Sequence, residues 1–521
     1  MKLGFCLAIF LVGVVQTHTF FPKNTILIPR GGSIDPTPQV DLPVVWAPGP
    51  KRALVFMDKF SEYHGGYLSR MAREVFGVAC INVLSDYMIG YFQKFHPELN
   101  EPKSMAIPTQ KQLQAWLDAL PVDIIEGIIC ESDSGLSDGE RIASMLQLIK
   151  QNGFNEARRN KFLMNEELHK AGLATVKQKL CSTVDEAKEF AKELGLSDFV
   201  EQTQTQEKVS PQSAGKESQT GLLGSGCNTH IMDSILCIVK PVRGVASEQV
   251  FLCRNVSNVE HAFEQIHGNT VFGSPRNTHD AVLVQEFAFG TEYALDTVSK
   301  DGQHKVAALW RYDKRPANGA SFVYHATELI EANESEIGTI LCEYAMKALD
   351  VLGLKWGTTH TEVILTCDGP RLVEVNCRQH NMDFTPLTMA CMGYNSLDML
   401  LSSYIGDGHV GHDITWDDYP TLPSIRAHAA MVHLVNHATG KLVSVNGVAL
   451  NEIQCLDSVL DMEVYPAFLE IGGMISPTVD IRSDAGWVQL VNDDAEVFHE
   501  DYQRILELMP TLFITDVDRI T

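Results

Sequence analysis

The chain has 521 residues, a formal net charge of −25, 45% hydrophobic residues and 21% charged residues. That length exceeds one ordinary core and calls for two to four packed units of soluble globular composition. The acidic balance excludes general nucleic-acid binding, which needs clustered Lys and Arg, but leaves open a nucleotide site with its own lysines and metal ions.

In chain order, Lys2 precedes an apolar run from Leu3 to Val15, too short to span a bilayer. Thr17-His18-Thr19 offers a cleavage site, so residues 1–19 read as a signal peptide. Residues 20–50 start Phe20-Phe21-Pro22-Lys23 and hold no acidic residue before Asp35, as expected of a transit-like segment and linker. This order resembles the two-part plastid presequences of diatoms and related algae. The resemblance implies a plastid destination; secretion or an endomembrane lumen is the alternative. No later segment has the character of a membrane span, so no membrane contact is expected after processing. Eleven cysteines follow Cys6, scattered and without a CxxC pair. That argues against a disulfide framework or a zinc ribbon.

Residues 51–150 alternate strand and helix patterns. Ala53–Met57, Val78–Val83 and Ile124–Cys130 read as strands, and the stretches around Tyr67–Val75 and Asp138–Lys150 as helices. This βαβ pattern predicts an open, mostly parallel Rossmann-like sheet. Ligands on such sheets sit at the carboxyl ends of strands. The loop Glu131-Ser132-Asp133-Ser134-Gly135 is therefore either a substrate edge or an ordinary strand-to-helix turn.

Residues 155–200 read as helical, broken at Ala171-Gly172-Leu173. Residues 201–230 are rich in Gln, Ser, Thr and Gly and read as a disordered insertion. β-rich segments then run to about residue 378, and Leu387–Ser403 reads as one helix. These features give a central domain over 151–410. The remaining 411–521 reads as a C-terminal α+β domain ending in a helix near Asp501–Leu508.

Residues 359–378 carry the strongest chemical signal. Thr361–Thr366 and Arg371–Cys377 alternate as strands around the turn Cys367-Asp368-Gly369-Pro370. Such a hairpin sets Glu362 opposite 374–376, with Glu374 and Asn376 on one face. Two carboxylates and an amide oxygen are hard ligands suited to Mg²⁺ or Mn²⁺, which phosphoryl transfer requires. Arg378 lies on that face or just beyond it and is placed to steady an anion. Lys240 ends the apolar strand Ile238-Val239-Lys240-Pro241, so it either meets an anion or snorkels to the surface. The loop after it, Arg243-Gly244-Val245-Ala246-Ser247, is made mostly of small residues that let backbone approach phosphates. Gln285-Glu286-Phe287 ends another apolar strand, and Glu292 follows within reach of ribose hydroxyls. His428, His433 and His437 lie along or beyond one strand, too far apart for a shared metal.

Lys161, Lys240, Gln285-Glu286-Phe287 with Glu292, and Glu362 twelve residues before Glu374-Val375-Asn376-Cys377-Arg378 appear in the order of the ATP-grasp superfamily. The resemblance covers about residues 51–515. It implies an α/β chain with α+β subdomains: an ATP-grasp fold flanked by the N-terminal Rossmann-like and C-terminal domains. Lys161 and Lys240 would touch ATP phosphates, and Lys240 with Arg378 would act in catalysis. Gln285, Glu286 and Phe287 would hold adenine, partly through backbone, and Glu292 the ribose. Glu362, Glu374 and Asn376 would bind the metal, and Arg378 the carboxylate or acyl phosphate. The loop 127–135 and the segments 470–480 and 486–490 resemble the L-amino-acid (dipeptide) ligase branch. Departures are the 201–230 insertion, the glycine-poor 243–247 loop, and Gln379-His380-Asn381 in place of small residues. The expected partners are small-molecule carboxylate and amine substrates, amino acids first, with a homodimer allowed. A carboxylating or purine-precursor ligase and a non-catalytic ATP-binding module are the alternatives.

Overall fold

The computed structural model describes residues 39–41, 49–59, 61–85, 88, 122–198, 235–244, 249–271, 274–406 and 415–517. The expected leader, 1–19, and the expected insertion, 201–230, lie outside these, as does Val245–Ser247 of the small-residue loop. The N-terminal sheet has the order β1 (Gln39–Asp41), β3 (Ala79–Val83), β2 (Arg52–Met57), β4 (Ile124–Cys130). β2 runs parallel to β3 and β4, as expected, while β1 is an antiparallel edge drawn from the stretch expected as linker. Ala53 through Met57 are all buried. Such continuous apolar runs mark a parallel sheet covered on both faces. α1 (Tyr67–Glu74) and α2 (Leu136–Met145) accompany it. α2 stops short of the expected Lys150, because Gln147 takes the left-handed conformation (φ 53°) that ends helices.

α3 (Lys161–Lys170) leads into a four-stranded antiparallel sheet, β5 (Gln178–Cys181), β10 (Val282–Glu286), β6 (Cys237–Pro241), β7 (Phe251–Cys253). α4 (Val184–Glu193) and α5 (Val256–Ile266) cover it. β5 corrects the reading of 155–200 as helical on both sides of the Ala171-Gly172-Leu173 break. Four residues carry too little periodicity to declare a strand, and pairing with β10 decides their conformation. β8 (Thr270–Val271) and β9 (Ser274–Thr278) form a separate ribbon.

The largest sheet has eight strands. β11 (Gly290–Lys300), β12 (Gln303–Ala317) and β13 (Ala320–Leu329) form a meander, flanked by β14 (Gly357–Thr366) and β15 (Gly369–Asn376). Asp301-Gly302 and Asn318-Gly319 make its tight turns, with φ of 49°, 80°, 52° and 82°. Turns with both central residues at positive φ match the twist of adjoining strands. Beyond β13 the sheet continues through β16 (His428–His433), β20 (Gly486–Asn492) and β18 (Val459–Val464). The C-terminal segment thus completes the same sheet across the expected boundary at 410/411.

α6 (Glu336–Val351) packs on one face of this sheet with α3. The helix expected over Leu387–Ser403 is two, α7 (Thr385–Met392) and α8 (Ser396–Ile405). Gly393, at φ 83°, ends the first, and the Asn395 side chain caps the second. α9 (Gly447–Gln454), a sheet of β19 (Met474–Ile475), β17 (Gly440–Val445) and β21 (Phe513–Thr515), and α10 (Ala495–Leu508) complete the chain. α10 begins before the expected Asp501 because Asp494 accepts from Glu496 N and Val497 N.

α8 joins the N-terminal unit to the large sheet. Leu397, Leu400, Leu401 and Tyr404 share one core with Leu54, Phe56 and Val298. Gly127 on β4 lies under the Tyr404 ring, where an added Cβ would come 2.2 Å from Cε1. Gly127→Ala is therefore expected to destabilise the protein by about 1–3 kcal/mol through overpacking. Thermal unfolding checks this; a melting point equal to the parent's would show that the seam yields freely.

Candidate active site

The hairpin of β14 and β15 forms as read, and Glu362 pairs directly across from Glu374. The register shifts just after Glu362, a local bulge next to the site. Asn376 Nδ2 donates to Glu374 Oε1 (3.0 Å), so the two share a face. Like charges directly opposite on adjacent strands repel. Each carboxylate here meets its own cation. Lys161 forms an ion pair with Glu374, and His360 Nε2 lies 3.3 Å from Glu362 Oε1. Burial alone would raise the Glu374 carboxyl. Lys161, the Asn376 amide and Lys240 outweigh it and hold that group far below the ordinary carboxylate range. Burial also opposes ionisation of Glu362, but the hydrogen bond from His360 and the charge of Lys314 keep it low.

Lys161 opens α3. The preceding Asn160 accepts from Phe162 N and Leu163 N, which fixes the start of the helix. Its backbone N–H donates to Val242 O (3.1 Å) and its Nζ to Gly244 O (3.2 Å), tying the helix to the small-residue loop. Lys240 is buried on β6 opposite Leu283, facing the cleft rather than snorkelling. Burial first, and the neighbouring Lys161 second, lower its ammonium to about 8. An anion placed between these two lysines would relieve that cost.

These groups line a cleft of about 440 Å³ between the four-stranded and eight-stranded sheets. Gln285 Nε2 donates to Gln178 Oε1 (2.9 Å), and Glu286 Oε1 accepts from Lys177 N (2.9 Å). Both side chains brace the hinge to its neighbouring strand, and Phe287 supplies a wall. Glu292 pairs with Lys314 at 2.6 Å. Burial raises the Glu292 carboxyl against Lys314; burial lowers the Lys314 ammonium, and Glu292 more than restores it.

Arg378 sits just past β15, buried. Its Nε donates to Asp133 Oδ2 (2.7 Å), and Arg159 NH1 reaches Asp133 Oδ1 (2.8 Å). The 131–135 loop thus reaches the hairpin from the N-terminal sheet. Burial opposes ionisation of Asp133, yet Arg378 and Arg159 hold its carboxyl below the ordinary range. Ser132 and Ser134 hydroxyls donate to Asp58 Oδ2 (2.6 and 2.8 Å), and Glu131 Oε1 accepts from Ser61 N and Gly65 N, both at 3.1 Å. The loop is therefore held rigidly.

Lys314, Tyr312 and Phe322 also line the cleft, and the sequence reading missed them. Alternation on β12 puts Tyr312 and Lys314 on one face, a signal present but masked by the neighbouring charges of Asp313 and Arg315. It also missed Asp296 and His360, although His360 stands two residues before Glu362 on the same face. Asp296, His360 and His380 bring donor atoms within 4.8 Å of one another, close enough to hold a cation. Asp296 already binds both imidazoles, so the cluster is complete as a hydrogen-bonded unit. His433 and His437 take separate partners, Asp484 at 2.8 Å and Asn318 at 3.0 Å.

Comparison with known proteins agrees with this geometry. The family described as "ATP-grasp domain" matches residues 234–384, which hold Lys240, the hinge and the hairpin. The match is confined to that segment. Dapdiamide A synthase of Enterobacter agglomerans is 22% identical over 468 residues, covering 88% of this chain and 96% of that one. Carnosine synthase 1 of Gallus gallus is 25% identical over 194 residues, 37% of this chain and 20% of that one. The crystal structure of L-amino acid ligase from Bacillus licheniformis superposes with a TM-score of 0.60 at 15% identity, covering 90% of this chain and 100% of that one. That likeness shows a shared fold over most of the chain.

Glu374→Gln is expected to abolish turnover while the protein stays folded, because the change removes one anionic ligand and the partner of Lys161. Circular dichroism and ADP release check this together; a folded variant of normal activity would remove the metal assignment.

Proposed function

We propose that the protein is an ATP-dependent carbon–nitrogen ligase that joins the carboxylate of one amino acid to the amine of another through an acyl phosphate. The observation that carries this reading is Arg378, held by Asp133 of the N-terminal loop, at the end of the acidic hairpin. A site built only to bind nucleotide has no need of a buried arginine beyond the phosphate end. An arginine there can orient a carboxylate for in-line attack on the terminal phosphate.

Lys161 and Lys240 neutralise the phosphates, and the Glu292–Lys314 pair closes the ribose end. Glu362, Glu374 and Asn376 are hard oxygen donors that fit a divalent ion of the Mg²⁺ or Mn²⁺ class. Such an ion, when bound, draws charge off the phosphate oxygens during transfer. Lys161 then exchanges its bond to Glu374 for one to phosphate. Arg378 and the buried lysines stabilise the charge that develops on the transferred group and on the acyl phosphate, in surroundings largely cleared of water. An amine then displaces phosphate to give the amide.

Amino-acid substrates are supported by the similar proteins, a dapdiamide A synthase, a carnosine synthase and an L-amino acid ligase. The leader supports delivery of the mature ligase to a plastid. With the mature protein and an amino-acid panel, ADP and phosphate release is expected only when a carboxylate and an amine are both present. The product mass should equal the two substrates less one water. ADP release at background across the panel would sink this reading, and stimulation by bicarbonate alone would move it to a carboxylating ligase.

A further inference from the structure

The four-stranded sheet carries two cysteines in register. Cys237 opens β6, Cys253 closes β7, and the antiparallel pairing sets them directly opposite one another. Residues paired in this way project to one face of a sheet, with Cα atoms about 4.5–5.5 Å apart, inside the span that a disulfide bridges. Both side chains are buried in the core that α4 and α5 cover. Cys253 first, and burial second, push the Cys237 thiol up, so Cys237 rests as the neutral thiol. Cys181 belongs to the same core, but it lies on β5, two strands from β6 and at the level of Pro241. Within this sheet Cys237 therefore faces one other thiol. The register makes this pair, not a CxxC spacing.

The position gives a bond between these sulfurs structural leverage. β7 is the edge strand of the sheet and has three residues, so its ladder to β6 is short. β6 carries Lys240 three positions after Cys237, and its other neighbour, β10, ends in the hinge residues Gln285 and Glu286. A bond from Cys237 to Cys253 would close a loop of about 15 residues and restrict the open states of the chain. Short edge strands open locally far more often than a whole protein unfolds, and such opening gives an external reagent access to buried thiols.

We propose that Cys237 and Cys253 are a dithiol that exchanges with an external disulfide to form a cross-strand staple between β7 and the strand of Lys240. One cysteine thiolate attacks a sulfur of the added disulfide, a mixed disulfide forms, and one small thiol leaves. The second cysteine then attacks the protein sulfur of that mixed disulfide and releases the second small thiol. Two cysteine thiols and one small disulfide thus become one protein disulfide and two small thiols. The protein sulfurs are oxidised, the added disulfide is reduced, and the two cysteine protons end on the released thiols. The staple stiffens the sheet that holds the nucleotide hinge, and a reducing agent reverses it. This inference stands whether or not the protein is a ligase.

The test incubates the full mature protein with oxidised glutathione, blocks remaining thiols by alkylation after denaturation, and maps the digest by mass spectrometry. The expected product joins the peptides of Cys237 and Cys253, two hydrogens lighter than their reduced sum and free of glutathione. The midpoint of thermal unfolding is expected to rise by about 2 °C or more, and to fall back on reduction. In Cys253→Ser the rise should vanish, with Cys237 alkylated or carrying one glutathione. Cys367 and Cys455, both exposed, report that the oxidant has acted. Recovery of Cys237 and Cys253 as separate alkylated peptides while Cys367 and Cys455 carry glutathione would overturn the proposal, as would a bond from Cys237 to any other cysteine. A cross-link that left the midpoint unchanged would overturn the stapling role. Because the decisive measurement is on the parent protein, a variant that fails to fold does not affect it.

Discussion

Glu362 and Glu374 stand opposite one another in a buried hairpin, and the surrounding architecture supplies the cations this demands. Two carboxylates taken out of water beside each other cannot both stay ionised unless positive charge reaches each of them. Lys161 comes from the start of α3, Lys240 from β6, Lys314 from β12 and His360 from the strand of Glu362 itself. The four-stranded sheet, the eight-stranded sheet and the helix between them are thereby brought to one point. The same charges that make the acidic pair tolerable are those a polyphosphate would recruit. A polyphosphate with its divalent ion would enter a cleft whose cations are already in place.

The N-terminal unit is coupled to this point by a second buried ion pair. Asp133 binds Arg378 and Arg159 together, at the carboxyl end of the parallel strand β4. Below it, α8 fixes the distance between the sheets, with Tyr404 seated against Gly127. Apolar packing sets the spacing of the two units, and ionic contacts at the mouth use that spacing to aim Arg378. The loop that carries Asp133 is braced on both sides, by Asp58 and by the Ser61–Gly65 turn, as a positioning element must be.

The hairpin was legible because its signal is local: alternation, a turn and acids at matched offsets all fall within twenty residues. The parallel strands 53–57 and 124–130 were legible for a similar reason, as continuous apolar runs. β5 was not, because four mixed residues become a strand only by pairing with β10, a hundred residues away. The break in 387–403 is also local, since Gly393 and Asn395 spell a stop and a start, but the continuous apolar spacing on either side masks it. Asp133 had been placed at a strand end, but its bond to Arg378 spans 245 residues and no spacing rule reaches that far. His380 showed itself only as a departure from the small residues expected there. Its meaning depends on Asp296 and His360, which the sheet register brings beside it from two other strands.

The central claim is that ATP is spent on activating a carboxylate held by Arg378. The direct measurement is to supply an acid substrate labelled with ¹⁸O in both carboxylate oxygens, together with its amine, and to analyse the phosphate released. The account predicts one labelled oxygen in the phosphate for each amide bond formed, since that oxygen bridged carbon and phosphorus. Phosphate released without label during amide formation would contradict it.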